Sequence, residues 1–200
     1  MMSFVRYRMI KNDQPGELVA NLFYDGINGR DDHLKCYLSY IMKIKVGFGF
    51  DVHQLKEGHP FIVGGVELDH HAGAFGHSDA DVLVHAICDA LLGAANLEDI
   101  GYHFPNTDDQ WKGINSLVLL QHCIKLIADK GYTLGNIDAM LCLEAPKIKP
   151  YIGQMKEKIA AASGLDVDDI SIKATTNETM GFIGREEGVV AYAVCLIEKA

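Results

Sequence analysis

At 200 residues, 48% of them hydrophobic, the chain can bury a sizeable core, and its length favours one domain with an appendage. A net charge of -9 with no Lys/Arg cluster argues against nucleic-acid and anionic-membrane partners. No run approaches the roughly eighteen apolar residues of a membrane span, the N-terminus lacks the pattern of a secretory signal, and Cys36, Cys88, Cys123, Cys142 and Cys195 form no Cys-x-x-Cys, so a cytoplasmic protein with reduced thiols is expected.

Residues 1–41 keep no sustained helical or strand period, and Tyr24 to Asp32 is crowded with turn formers. From Met42, Ile44, Val46, Phe48 and Phe50 alternate with Lys43, Lys45, Gly47 and Gly49, which predicts a strand burying its apolar face and running into Asp51-Val52-His53. Phe61 to Val63, Gly64-Gly65 and Val66 to Leu68 predict a hairpin or bulged pair, after which His70 and His71 fall in a Gly/Ala-rich loop. Ser78 and Asp81 resemble a capping box before a helix whose apolar stripe is Val82, Leu83, Ala86, Ile87, Ala90, Leu91 and Ala94. At about 100° per residue, His85 falls opposite that stripe, with Asp81 and Asp89 one turn to either side.

A loop is expected from Asp99 to Gly113, a helix from Ser116 to Lys130 stopped by Gly131, and a strand from Ile137 to Leu143. Pro150 can open a third helix, with Ile152, Met155, Ile159 and Ala162 on its apolar side and Gly164 at its end. Strands Ile170 to Thr175 and Val189 to Ile197 flank a loop holding Thr176, Asn177, Glu178, Phe182 and Arg185. This order predicts an α+β fold, a four-stranded mixed sheet with helices packed on one face.

Asp51 and His53 leave the same face of an extended segment and can converge on one ion, with His85 as a third ligand and an open fourth position of the kind a catalytic zinc keeps. The plain alternative is a common Asp-x-His at a strand end beside a surface histidine. Asp81 or Asp89 either orients the His85 ring or is helix-surface charge, with Asp81 in the cap. His77-Ser78 precedes a helix and could hold an anion, or Ser78 simply caps it. Lys173 to Glu178 joins hydroxyls to a carboxylate, a set suited to phosphate with Mg²⁺ or Mn²⁺, although a threonine-rich strand end is ordinary. Ala145-Pro146-Lys147 is either a turn or a segment whose backbone reads a nucleobase edge.

Taken together, Gly49-Phe50-Asp51-Val52-His53, Gly64-Gly65-Val66, His77-Ser78-Asp79-Ala80-Asp81 with His85, Asp89 to Ala94, Asp99-Ile100-Gly101, Phe104-Pro105-Asn106-Thr107-Asp108, Lys130-Gly131-Tyr132, Ala145-Pro146-Lys147 and Lys173 to Gly188 resemble the 2-C-methyl-D-erythritol 2,4-cyclodiphosphate synthase family, over about residues 42–199. The resemblance implies cyclisation of 4-diphosphocytidyl-2-C-methyl-D-erythritol 2-phosphate with release of CMP. It implies zinc on Asp51, His53 and His85, and Mg²⁺ or Mn²⁺ on Glu178. His77 and Thr176 match positions that stabilise the transition state. Substrate contacts are implied at Asp51, Val52, His53, His77, Ser78, Asp99, Ile100, Gly101, Phe104, Pro105, Asn106, Thr107 and Asp108, and around the cytosine at Leu143, Glu144, Ala145, Pro146, Lys147, Ile148 and Lys149. Further contacts are implied at Thr175, Thr176, Asn177, Glu178, Phe182 and Arg185.

The resemblance also implies a homotrimer with sites between subunits, and a three-fold cavity lined by Phe182, Arg185 and Glu187 that could take a prenyl diphosphate. Asn106 stands where Asp is frequent in the family. Residues 1–41 have no counterpart there and are expected to be a poorly ordered extension or a mis-assigned start, leaving 42–200 as the synthase domain. Two rival readings use the same residues: a metal-dependent phosphohydrolase, and a non-catalytic trimeric module whose zinc is closed by His71 or Asp89.

Overall fold

The computed structural model describes residues 5–11, 18–24 and 43–199, and the chain divides into two compact units, Met1–Lys43 and Ile44–Ala200. In the first, β1 (Val5–Lys11) and β2 (Leu18–Tyr24) form an antiparallel pair with Val5 opposite Tyr24. The sequence reading expects no element there, because the apolar residues of both strands keep no strict period. Cys36 and the turn-rich stretch beyond Tyr24 lie outside the described residues.

The second unit contains, in chain order, β3 (Lys43–Glu57), β4 (Phe61–Val63), β5 (Val66–Leu68), β6 (Ala72–Phe75), α1 (Val82–Ala95), α2 (Ile100–His103), α3 (Ser116–Asp129), β7 (Tyr132–Cys142), α4 (Ile152–Ser163), β8 (Ile170–Thr175), α5 (Gly181–Gly184) and β9 (Gly188–Lys199). Its main sheet has five strands in the order β6-β3-β9-β7-β8, with β7 and β8 parallel and β7 and β9 antiparallel. The fold is α+β with a mixed sheet, as expected, but with five strands in place of four. The added strand is β6, an Ala/Gly-rich segment that reads as loop and becomes a strand by pairing with the end of β3, Gln54 opposite Phe75. β4 and β5 make the expected hairpin, turned by Gly64 and Gly65 at φ 59° and 72°.

The largest departure from the sequence reading is which face of β3 is buried. Gly47 and Gly49 are buried, whereas Ile44, Val46, Phe48, Phe50 and Val52 are exposed, Val46 and Phe48 at 64%. The reason is the approach of α1. A Cβ on Gly47 would lie 1.8 Å from the carbonyl oxygen of Ala90, and one on Gly49 would lie 1.9 Å from that of Ala86. The glycine face is therefore where the alanine side of the helix lies flush on the strand. The opposite, apolar face continues onto β9 through Tyr192, whose ring stands 5.3 Å from Phe50 and 6.2 Å from Phe48.

Helix α1 is buried almost all round, because α3 covers the side that the sheet does not. The expected polar face for His85 is thus corrected: the histidine is 9% exposed and lies inside the fold. The cap is also corrected. Asp81, not Ser78, is the N-cap, accepting from the Val84 N–H at 3.1 Å and also from Gly64 N at 2.9 Å and Gly65 N at 2.6 Å. One buried carboxylate therefore joins the helix start to the hairpin turn. Helices α3 and α4 fall close to expectation, with Asn115 capping α3 and Gly164 ending α4 at φ 78°, whereas the short helices α2 and α5 form in segments expected as loops and β7 begins at Tyr132, ahead of the expected Ile137.

Candidate active site and metal centre

The two-residue spacing on β3 puts Asp51 and His53 on one side, and α1 brings His85 to them. Oδ2 of Asp51 lies 3.0 Å from Nε2 of His53 and 3.0 Å from Nδ1 of His85, and the two nitrogens are 3.2 Å apart. Ligands about 2.0–2.2 Å from a tetrahedral zinc stand roughly 3.3 Å from one another, so the triangle has the dimensions of one face of such a site. Val52, between the two ligands, belongs to the opposite, exposed face.

The outer partners of both rings leave lone pairs pointing inward. Nδ1 of His53 lies 3.2 Å from the carbonyl oxygen of Phe75, to which it donates, so Nε2 is free to accept. Nε2 of His85 lies 2.9 Å from Oγ of Ser116 and 3.0 Å from Oγ of Ser78, which puts its proton on that side and the lone pair on Nδ1. The Ser116 hydroxyl in turn donates to Oδ1 of Asp79, whose Oδ2 accepts the Ser116 N–H at 2.9 Å. Two lone pairs and a carboxylate oxygen so close together need positive charge among them. With protons in place of a metal on the inward nitrogens, burial alone would still raise the Asp51 carboxyl, but hydrogen bonds from the His53 and His85 rings outweigh that and hold it well below the usual carboxylate range. Burial alone would lower His85, yet Asp51 raises it. Both directions report the demand that a divalent cation would satisfy, and the donor set fits zinc.

Asp79 and Ser116 were missed by sequence reasoning, which offered Asp81 or Asp89 for the orienting role beside the alternative of helix-surface charge with Asp81 in the cap. Asp81 is occupied with the hairpin and cap, and Asp89 accepts from the Ile100 N–H at 2.8 Å. No local signal could have named Ser116, which stands 31 residues from His85. Neither His71 nor Asp89 joins the triad, so among the described residues nothing supplies the fourth protein ligand that a purely structural zinc requires.

Beside the triad is a cavity of about 150 Å³ lined by His53, His77, Ser78, His85, Ile100, Gly101, Phe104, Asn106 and Trp111 among others. Nε2 of His77 and Nε1 of Trp111 are buried without a hydrogen-bond partner, and both residues line this cavity. Its loop is held by its own caps: Asp99 accepts from Tyr102 N at 2.8 Å, Asp108 from Gln110 N at 3.1 Å, and Pro105 O from Asp108 N at 3.0 Å. Thr107 is exposed in the same loop. At the start of α1 the Val84 N–H is already taken by the Asp81 carboxylate, so it is not available to an anion beside His77 and Ser78.

A second cavity, of about 460 Å³, is lined by Leu143, Glu144, Pro146, Lys147, Ile148, Lys149, Ile152, Ala174, Thr175 and Thr176. A cis peptide joins Ala145 to Pro146 at its edge. Glu144 accepts from the Asn177 N–H at 3.1 Å, and Leu143 N donates to Thr175 O at 3.1 Å, which ties the two strand ends together. Glu178, at φ 50°, is exposed and accepts from the Thr176 hydroxyl at 2.8 Å. Within one chain, then, His77 and Thr176 line different cavities, and Glu178 is not among the three triad ligands. Phe182 and Arg185 are exposed on and just after α5, and Arg185 makes two 2.9 Å hydrogen bonds to Glu187.

Residues 44–198 match the YgbB family profile. A 2-C-methyl-D-erythritol 2,4-cyclodiphosphate synthase of Cytophaga hutchinsonii is 61% identical over 158 residues, covering 79% of this chain and 99% of the relative, and one of Bacteroides thetaiotaomicron agrees equally well. Among solved structures, the bifunctional IspDF from Campylobacter jejuni gives a TM-score of 0.77 at 40% identity over 80% of this chain and 43% of its own. A CDP-bound 2C-methyl-D-erythritol-2,4-cyclodiphosphate synthase gives 0.71 at 35% identity, over 76% of this chain and 99% of its own. With the profile matched over 44–198 and 61% identity to named synthases, the chain belongs to the YgbB family, that of the 2-C-methyl-D-erythritol 2,4-cyclodiphosphate synthases.

Proposed function

We propose that this protein converts 4-diphosphocytidyl-2-C-methyl-D-erythritol 2-phosphate into 2-C-methyl-D-erythritol 2,4-cyclodiphosphate and CMP, a lyase-type step of non-mevalonate isoprenoid synthesis in the cytoplasm. The observation that carries the reading is the triangle of Asp51, His53 and His85, open on its cavity side, in a chain 61% identical to named synthases. The reaction is an intramolecular phosphoryl transfer. An oxygen of the 2-phosphate forms a bond to the β-phosphorus while the bond from that phosphorus to the α,β-bridging oxygen breaks, and CMP leaves with that oxygen.

Catalysis of such a transfer is mostly alignment of attacker with leaving group and neutralisation of the growing charge. Asp51, His53 and His85 would hold a zinc ion, which would supply a Lewis acid and template for a phosphate oxygen, and Glu178 would hold a Mg²⁺ or Mn²⁺ ion, which would supply positive charge to the diphosphate. The chain's own residues do the positioning. His77 and Ser78 face phosphate oxygens from the small cavity, with the loops Asp99 to Gly101 and Phe104 to Asp108 around the erythritol. Thr176 donates its hydroxyl from the other side. The segment Leu143 to Lys149, with Thr175 and Asn177, holds the cytosine in the larger cavity, a reading supported by the CDP in the related structure.

The working unit is a homotrimer. Five apolar side chains of β3 with Tyr192 and Val194 of β9 make one exposed patch, of the kind that marks an association surface. Assembly would also bring the two cavities of neighbouring subunits together, joining the separate positions of His77 and Thr176. Phe182 and Arg185 are offered to the three-fold axis, where a prenyl diphosphate would have to compete with Glu187 for the guanidinium.

Incubation of the protein with the cytidyl substrate, Zn²⁺ and Mg²⁺, followed by phosphorus NMR, should show the cyclic diphosphate with equimolar CMP. Release of inorganic phosphate instead would identify a phosphohydrolase and overturn the reading.

A further inference from the structure

His70 and His71, in the loop between β5 and β6, meet Glu186, in the turn between α5 and β9. One ligand atom from each of the three lies within 4.8 Å of the others. Nε2 of His70 is 3.5 Å from Oε2 of Glu186, a little above the roughly 3.3 Å edge of a tetrahedral zinc site. The His70 and His71 rings are 4.3 Å apart, centroid to centroid.

The ordinary alternative is a histidine–glutamate ion pair. Against it, the His70 side chain is only 8% exposed, yet its Nε2 makes no hydrogen bond, to Glu186 or to any other described group. A buried ring nitrogen left without a partner is rare, and a bound ion is one of its standard explanations. The three groups are also held in place. The His70 ring packs 5.9 Å from that of Phe61, and Glu186, at φ 57°, donates its N–H to Ile183 O at 2.9 Å. Next to them opens a cavity of about 420 Å³ to which Glu67 and Asp69 contribute, so an entering cation meets negative charge.

We propose that His70, His71 and Glu186 form a second site for a divalent transition metal, Zn²⁺ or an ion of similar nitrogen and carboxylate preference, separate from the Asp51 centre. Two nitrogens and one carboxylate oxygen suit such an ion better than Mg²⁺ or Ca²⁺, which prefer oxygen throughout. Bound there, the metal clamps the loop that leads into β6 to the turn that leads into β9. Both segments touch β3 just beyond His53: Phe75 pairs with Gln54, and Glu187 O accepts from Leu55 N at 3.0 Å. The clamp therefore braces the strand end that carries the first centre.

The test is zinc stoichiometry by equilibrium dialysis and atomic emission on the full chain, wild type beside His71→Ala, Glu186→Gln and His85→Ala. His71 is exposed and Glu186 only half-buried, so neither substitution opens the core, and a circular-dichroism melt checks this. Wild type should hold about two zinc ions per chain, and each variant about one. Retention of the wild-type amount by both His71→Ala and Glu186→Gln overturns the second site, as does complete loss of zinc in a folded His85→Ala. If instead His85→Ala equals wild type while the other two lose an ion, the second site stands and the first centre is the reading that fails.

Discussion

Ser116 Oγ lies 2.9 Å from Nε2 of His85, and the same hydroxyl donates to Asp79, so a buried helix residue sets the tautomer of a ligand on the neighbouring helix. Ser116→Ala removes that acceptor and, among the described residues, leaves the Ser78 hydroxyl near Nε2. Loss of such an outer partner costs about 10–100-fold in metal affinity, and zinc competition with a chromogenic chelator should show a fall in that range. Unchanged affinity would mean that Ser78 alone orients the ring.

Gly49→Ala tests the close approach of β3 and α1. The added methyl would meet backbone, the Ala86 carbonyl oxygen at 1.9 Å, which cannot turn aside as a side chain could. The helix must lift from the sheet, at a cost toward the upper end of the ~1–3 kcal/mol typical of overpacking. Urea unfolding should show the midpoint falling accordingly, and Gly47→Ala should behave alike. A midpoint within error of wild type would show that the strand and helix are looser than drawn.

On the other face of the same strand, Phe48→Asp should leave the monomer fold intact, because that side chain is 64% exposed. It places charge in the patch proposed to join subunits, where an unpaired charge is costly to bury. Sedimentation equilibrium should then move from trimer to monomer, with loss of cyclase activity. A variant that stays trimeric would relocate the interface.

Asp81 gives stability a pH dependence. Burial pushes its carboxyl up to about 6 from 3.8, although the N–H groups of Gly65, Val84 and Gly64 act the other way. A folded-state value above the unfolded one means that the group's contribution is complete below pH 4 and is lost as pH rises through 6. The difference corresponds to about 3 kcal/mol. Asp81→Asn cannot titrate, so the gap between its unfolding midpoints and those of wild type should change between pH 4 and 7, wild type losing ground. Parallel curves would refute the raised value.

The sequence by itself determined the kinds of most elements and the chemistry of the candidate metal ligands. Alternation from Lys43 into His53 makes a strand, and period two puts Asp51 and His53 on one side wherever that strand goes. Only the tertiary structure decided which side faces inward. Alternation shows that two faces differ, but the face lacking side chains was the one a helix could approach most closely, and that left the aromatic face outside. His85 was legible as a candidate ligand but not as a buried one, because an amphipathic wheel assumes one covered side and α1 has two. The partners of its far nitrogen came from α3 and the loop before α1, and contacts between segments that distant depend on packing that no local pattern records.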